Sequence, residues 1–237
     1  MNLLAVDTST WTAGVAVLRD DQLVASLEVT RKKTHAQRLL RCVDTALRLS
    51  GLVLDQCDAF AVTVGPGSFT GLRIGVSTVK GLAFATGKPV AAVSTLKALA
   101  FQFPCSRELV CPMLDARKGQ IFTALYRWDP VGQWQEVMPE VAADPEAWLS
   151  QMTEPCLFVG DGTVVYKKII KQRLGPQAWF APEYLNTPRS VIVAHIGAQQ
   201  IRAGAGCDPA VLVPCYLRKS DAELKRNGLS PCPKDVV

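Results

Sequence analysis

The chain has 237 residues and a formal net charge of +5, and hydrophobic residues make up 49% of it. A chain of this length and composition can bury a core of its own, which excludes bulk disorder, a collagen-like fibre and a coiled coil. The mild positive charge permits contact with RNA but does not require it. No apolar stretch approaches the roughly 20 residues needed to span a bilayer, so we expect a cytoplasmic protein with no membrane partner.

The first hundred residues predict three strands followed by alternating helices and strands. Short connections join the three strands, which favours an antiparallel meander. The order of the elements is typical of one lobe of a two-lobed α/β fold of the actin-like or ribonuclease-H-like kind. In chain order, the predicted elements are strands 3–6, 13–18 and 23–30, helix 34–50, strand 59–64, a helix ending near Thr86, strand 90–93 and helix 95–101.

The second half of the chain begins the same pattern again. Asp115 ends its first apolar run as Asp7 ends the first run of the chain, and a hairpin follows each acid. A repeat of this kind predicts two related lobes, at residues 1–104 and 105–218, with a polar tail at residues 219–237. The elements predicted in the second lobe are strands 109–114, 120–126 and 135–141, helix 145–151, strand 157–159 and helices 163–173 and 189–202.

A glycine-rich turn joins the predicted strand 59–64 to the next helix. It runs from Gly65 to Gly71 with the sequence GPGSFTG. Backbone N–H groups at such a helix start favour an anion, and Gly65, Gly67 and Ser68 would lie nearest to it. The glycines are equally well explained by a tight turn that needs them for steric reasons. The lysine of a P-loop is missing, and the spacing alone leaves both interpretations open.

The two helices of the first lobe carry faces suited to packing. Apolar residues recur at helical spacing in the first helix. The second helix places Gly71, Gly75 and Thr78 on one face, which lets another backbone approach closely. This face predicts packing either within the core of the chain or against a second chain. The interface candidates are Leu39, Leu40, Val43, Leu47, Gly71, Gly75, Thr78, Val79 and Leu82.

Asp7 and Asp115 end the first strand of each lobe, so they are expected to face each other across a cleft. Two carboxylates in such a place can hold Mg²⁺. However, the turn Asp7-Thr8-Ser9 lacks the glycine that would wrap a phosphate, and Arg117 closely follows Asp115. Hairpin capping and pairing with arginine are the competing interpretation of these acids.

Several segments of the chain together resemble one known family. The stretch GPGSFTGLR is highly specific, whereas the other segments are weak singly. They resemble the TsaB (YeaZ) family, bacterial proteins needed to form threonylcarbamoyladenosine in tRNA. The family commonly has His-Ser-Glu where this chain has His35-Ala36-Gln37, so one acid is missing from an expected interface. The segments lie between residue 3 and about residue 218, at Leu4–Ser9, His35–Leu40, Gly65–Gly75, Lys80–Ala83, Val93–Leu96, Asp115–Arg117 and Pro214–Arg218.

The resemblance implies a two-lobed fold of the actin, sugar-kinase and Hsp70 superfamily, and a subunit that is not catalytic alone. It implies the catalytic paralogue TsaD and the small ATPase TsaE as partners, with tRNA reached through their complex. That complex transfers a threonylcarbamoyl group to the adenosine beside the anticodon of tRNAs reading codons that begin with A. In the family, the two early helices form the TsaD interface and a competing self-interface. A vestigial anion or nucleotide site would then consist of Asp7, Thr8, Ser9, Gly65, Gly67, Ser68, Asp115 and Arg117.

An enzyme of the same superfamily is the alternative. An ATPase or small-molecule kinase would use Asp7, Asp115 and the turn at Gly65–Gly71, and the lone protein would bind Mg²⁺ and nucleotide. The two histidines, His35 and His195, do not form a metal-binding motif, so we expect neither a metal nor another cofactor.

Overall fold

A computed structural model describes residues 1–30, 36–129 and 131–218 of the chain. The predicted start of the first helix, at Thr34, lies outside these residues. The strands are β1 (Asn2–Asp7), β2 (Thr12–Arg19), β3 (Gln22–Thr30), β4 (Ala59–Gly65), β5 (Val90–Ser94), β6 (Leu109–Arg117), β7 (Gln120–Trp128), β8 (Trp134–Ala143), β9 (Cys156–Val159) and β10 (Ala178–Phe180). The helices are α1 (Ala36–Leu49), α2 (Phe69–Thr86), α3 (Thr95–Ala100), α4 (Pro145–Leu149), α5 (Asp161–Val165), α6 (Lys167–Leu174) and α7 (Ser190–Arg202).

The strands form two five-stranded sheets with the same internal order. The first sheet runs β3-β2-β1-β4-β5 and the second runs β8-β7-β6-β9-β10. In each sheet the first three strands in the chain are antiparallel, and the last two run parallel to the first. This repeated topology confirms the predicted two-lobed actin-like fold and the internal repeat.

Strand β1 lies at the centre of the first sheet and is covered on both faces. Successive side chains of a strand point to opposite faces, so its apolar residues divide between two clusters. Leu4 and Val6 pack with Val43 of α1 and Val79 of α2. Leu3 and Ala5 join the opposite cluster, which the residues of α7 complete. Each face of the sheet therefore needs its own helical layer.

Helix α7 supplies the second of these layers, although its residues were expected in the second lobe. Val193 and Ala194 pack on the first sheet, and a Cβ at Gly197 would overlap the side chain of Ala61. Beyond the helix, Cys207 exchanges backbone hydrogen bonds of 2.8 and 3.1 Å with Val90. Residues 190–216 thus return to the first sheet, because its second face would otherwise expose apolar side chains to water.

Two further elements differ from the sequence-based expectation. The helix predicted at residues 163–173 is two helices, α5 and α6, which change direction at Tyr166. Strand β10 was not predicted, since three residues are too few to show an alternating pattern. Among the described residues, no helix combines the length and the apolar character that crossing a membrane would require.

Candidate functional site

The end of β1 is built around the carboxylate of Asp7, which is fully buried. Its Oδ1 atom accepts hydrogen bonds from the Ser9 backbone N–H at 3.1 Å, from Ser9 Oγ at 2.7 Å and from Thr63 Oγ1 at 2.7 Å. These bonds close the turn after β1 and tie it to β4. They give Oδ1 the strong hydrogen-bond partners that a buried carboxylate oxygen requires.

The glycine-rich turn packs directly onto the turn that follows β1. The backbone N–H of Ser68 donates to the carbonyl oxygen of Ser9 at 2.7 Å. A Cβ at Gly67 would overlap that same carbonyl oxygen. A Cβ at Gly71 would overlap the carbonyl oxygen of Thr8, so the glycines are needed where two backbone segments touch.

The start of helix α2 is satisfied within the chain. Ser68 is its N-cap residue, and Ser68 Oγ accepts a hydrogen bond from the Gly71 N–H at 3.2 Å. Thr8 Oγ1 donates to the Gly71 carbonyl oxygen at 2.7 Å, and a Cβ at Gly75 would overlap Thr8 Oγ1. The protein's own backbone therefore fills the space between turn and helix. Of the two interpretations that the spacing left open, this geometry supports steric packing over an anion site.

Asp115, at the end of β6, pairs with an arginine, as the competing interpretation of the two acids predicted. Asp115 forms an ion pair with Arg117 at 3.0 Å, and its Oδ1 accepts the Arg117 backbone N–H at 2.9 Å. The backbone N–H of Asp115 donates to Asp161 Oδ1 at 3.0 Å. Burial raises the pKa of the Asp161 carboxyl, and the charge of Asp115 adds to the rise. Asp7 therefore forms hydrogen bonds with Ser9 and Thr63, whereas Asp115 pairs with Arg117.

The predicted interface residues separate into three groups in the structure. Leu39, Val43, Leu47 and Val79 lie in the core beside the first sheet. Gly71 and Gly75 are covered by Thr8, so a partner backbone does not reach them in this conformation. Leu40, Thr78 and Leu82 keep solvent-accessible surface, and Leu40 is 56% exposed.

A strap at residues 212–218 connects the two lobes, and sequence analysis did not assign it a structural role. The backbone N–H of Cys215 donates to the carbonyl oxygen of Val64 at 2.7 Å. Tyr216 stacks on Phe69 with ring centroids 4.9 Å apart, which binds the strap to the start of α2. At its end, Arg218 Nη1 donates to Gln120 Oε1 of the second lobe at 3.0 Å.

A second connection between the lobes centres on Glu140 of β8. Its Oε1 atom accepts hydrogen bonds from Ser94 Oγ, at the end of β5, and from the Tyr126 hydroxyl at 3.1 Å. Burial raises the pKa of the Glu140 carboxyl, while these two hydrogen bonds act in the opposite direction. Neither Glu140 nor Asp161 was singled out in the sequence, because their partners lie far away along the chain.

The fold and the site together define an actin-like α/β protein in which the glycine-rich turn packs on the turn after β1. Within the residues that the structure describes, no three histidine, cysteine, aspartate or glutamate side chains are grouped as a metal site would require. The ethanolamine utilization protein EutJ from Carboxydothermus hydrogenoformans shares the fold, with a TM-score of 0.52 at 12% identity over 83% of this chain and 90% of its own.

Closer similarity identifies the family. A family model described as TsaD, tRNA N6-adenosine threonylcarbamoyltransferase, matches residues 28–226. The tRNA threonylcarbamoyladenosine biosynthesis protein TsaB of Bacillus subtilis is 35% identical over 95% of this chain and 97% of its own length. The structure of YeaZ from Pseudomonas aeruginosa matches with a TM-score of 0.77 at 31% identity, covering 91% of this chain and 99% of that chain. The chain belongs to the TsaB (YeaZ) family.

Proposed function

We propose that this protein is a non-catalytic scaffold and activator subunit in the formation of threonylcarbamoyladenosine in tRNA. In this proposal it binds TsaD, works with the ATPase TsaE in the cytoplasm and reaches tRNA through their complex. Transfer of the threonylcarbamoyl group to the adenosine beside the anticodon then takes place on TsaD. Membership of the TsaB family supports the process, and the geometry of the first lobe supports the role.

The packing of helix α2 on the turn after β1 is the observation that carries this proposal. Ser68 donates to Ser9, and Gly71 and Gly75 lie against Thr8. Contact between two segments of the same chain therefore explains the glycines of this loop without a bound phosphate. A first lobe built in this way is better suited to docking than to turnover.

The docking surface in this proposal is the α1–α2 surface, defined as Leu40, Thr78 and Leu82. Leu40 is 56% exposed, so its side chain is accessible to a partner. The buried residues of the same helices hold this surface rigidly on the first sheet. The same surface would serve the competing self-interface, so TsaD binding and homodimer formation would exclude each other.

The test compares two exposed apolar positions on different lobes. Leu40→Arg places a charge on the α1–α2 surface, whereas Val131→Arg places one at a residue that is 81% exposed between β7 and β8. We expect Leu40→Arg to weaken TsaD binding at least tenfold in calorimetry, because a charge would be desolvated in the contact. Val131→Arg should bind as the wild type does. Equal affinity of both variants would contradict the assigned surface.

The rival proposal, an ATPase or small-molecule kinase, makes a different prediction for the protein alone. It requires Mg²⁺-dependent nucleotide binding around Asp7 and Asp115. Titration of the isolated protein with ATP and Mg²⁺ should give no binding heat if the protein is a non-catalytic scaffold. A saturable isotherm would favour the enzyme and contradict the scaffold.

A further inference from the structure

Seven basic side chains follow the strap from the first lobe to the second. Apart from Arg117, which the sequence analysis placed in the vestigial anion or nucleotide site, none of them belongs to a site or interface described above. We call this set the basic belt, and it consists of Arg73, Arg117, Lys118, Lys167, Lys168, Lys171 and Arg218.

The first part of the belt is continuous through the strap. Arg73 Nε donates to the Tyr216 hydroxyl at 3.1 Å, and its guanidinium lies 3.9 Å from the centre of the Phe69 ring. Two residues after Tyr216, Arg218 Nη1 donates to the carbonyl oxygen of Arg117 at 3.4 Å. These contacts connect Arg73 to Tyr216 in the strap and Arg218 at the end of the strap to the backbone of Arg117 in the second lobe.

The second part of the belt begins at the turn between β6 and β7. The Tyr166 hydroxyl donates to the carbonyl oxygen of Gln120 at 3.4 Å, which joins this turn to the start of α6. Helix α6 then presents Lys167, Lys168 and Lys171, all exposed. Their spacing of three and four residues puts Lys171 next to both of the others on the helix surface.

Among the described residues, helix α6 has few acids opposite its positive charge. The helix contains none, and its three lysines form no ion pair within the part of the chain that the structure describes. Asp115 is bound to Arg117, and Asp161 is partly buried and accepts the Asp115 backbone N–H. Asp144 caps helix α4 by accepting the Ala147 N–H at 3.0 Å. The lysines of α6 therefore give this part of the belt an excess of positive charge.

We propose that the basic belt binds the sugar-phosphate backbone of RNA directly, with tRNA as the RNA. This inference rests on the proposed function, which brings the protein to tRNA only through its complex. Phosphate contacts by lysine and arginine supply affinity without reading sequence. The stacked rings of Phe69 and Tyr216 add an aromatic surface, and Tyr216 is 38% exposed, so an unpaired base can stack there.

An anionic membrane is the other partner that a basic surface can attract. A helix that lies in a membrane surface needs large apolar side chains on its exposed face. Helix α6 exposes none, because Ile170 and Leu174 are buried and Ile169 is partly buried. The lack of exposed apolar side chains on α6 favours RNA.

The test measures binding of a fluorescent tRNA transcript by the isolated protein at several salt concentrations. Lys168→Glu/Lys171→Glu alters the belt, and Arg48→Glu/Arg107→Glu changes the net charge equally at exposed positions elsewhere. We expect the belt variant to bind at least tenfold more weakly, and the control to stay within twofold of wild type. Lys168→Gln/Lys171→Gln should lower the slope of log affinity against log salt by roughly 1.4–1.8 in magnitude, because each neutralised phosphate contributes about 0.7–0.9 to that slope.

Three outcomes would overturn the inference. They are no RNA binding by the wild-type protein, equal losses in both charge-reversed variants, and belt-dependent binding to vesicles rich in phosphatidylserine but not to tRNA. Circular dichroism of each variant checks that the fold is retained.

A second readout separates this inference from the proposed function. In the reconstituted complex, Lys168→Glu/Lys171→Glu should still bind TsaD and should raise the KM for tRNA. An unchanged KM would overturn the belt and leave the scaffold role intact. Transfer that proceeds equally well without this protein would overturn the scaffold role, while tRNA binding by the isolated protein would still test the belt.

Discussion

Replacing Gly75 by alanine tests whether the turn after β1 fills the space beside helix α2. A Cβ at Gly75 would overlap Thr8 Oγ1, whereas Gly81 of the same helix has no atom within 4 Å of an added Cβ. At an open helical site, alanine is more stable than glycine by about 1 kcal/mol. Forcing a methyl group into a packed site costs about 1–3 kcal/mol. We therefore expect Gly81→Ala to stabilise the protein and Gly75→Ala to destabilise it by about 1–2 kcal/mol.

The assay is urea unfolding of the wild type, the two single variants Thr8→Ala and Gly75→Ala, and the double variant, which together form a double-mutant cycle. Thr8→Ala alone should cost about 1 kcal/mol, since it removes the hydrogen bond from Thr8 Oγ1 to the Gly71 carbonyl oxygen. It also removes the atom that an added Cβ at Gly75 would meet. In that background, Gly75→Ala should cost little, which gives a coupling free energy of at least about 1 kcal/mol.

The contrast between the two glycines makes the reasoning refutable. If Gly75→Ala raises the urea midpoint as Gly81→Ala does, α2 and the turn are not in contact in solution. The same conclusion follows if the cycle shows no coupling between Thr8 and Gly75. Either result would reopen the space for an anion and remove the main support for a docking role.

The remaining predictions concern pH and thiol reactivity. Because burial raises the pKa of Glu140 above the ordinary value of 4.5, its contribution to stability is complete below that pH and is lost as the pH rises through the folded-state pKa. The free energy of unfolding of Glu140→Gln, minus that of wild type, should therefore increase between pH 4.5 and 7, and a constant difference would contradict the shift. Burial also raises the pKa of the Cys57 thiol to about 11, so iodoacetamide at pH 8 should label the exposed Cys105 well before Cys57 in mass spectra. Comparable rates for the two thiols would contradict the burial of Cys57.

Local pattern was enough to predict the repeat and the order of most elements, although β10 and the break between α5 and α6 were missed. Periodicity within one segment is enough to predict a buried strand at Leu3–Val6 and a helix with one buried face at α1. The glycine-rich turn was also located correctly between β4 and α2. The residues that pack against this turn could not be predicted, because a glycine in a sequence indicates close packing without identifying the neighbouring residue. The structure identifies that neighbour as Thr8 and Ser9 of the same chain.

The contacts that the sequence did not reveal join residues far apart in the chain. Helix α7 covers the first sheet, although it begins more than 90 residues after the last strand of that sheet. The amphipathic pattern of a helix indicates that one face is buried, but not against which sheet. Glu140 and Ser94 meet across the lobes, and Arg218 reaches Gln120 from the end of the strap. Each of these side chains would look like an ordinary surface residue in the sequence alone.

Reconstitution of the modification reaction tests the scaffold role most directly. The measurement is transfer of a labelled threonylcarbamoyl group to tRNA by cognate TsaD and TsaE, with and without this protein, beside the same assay on the protein alone. We predict no transfer by the isolated protein and a large increase when it joins its partners. Transfer by the protein alone, or an equal rate when it is left out, would contradict the account.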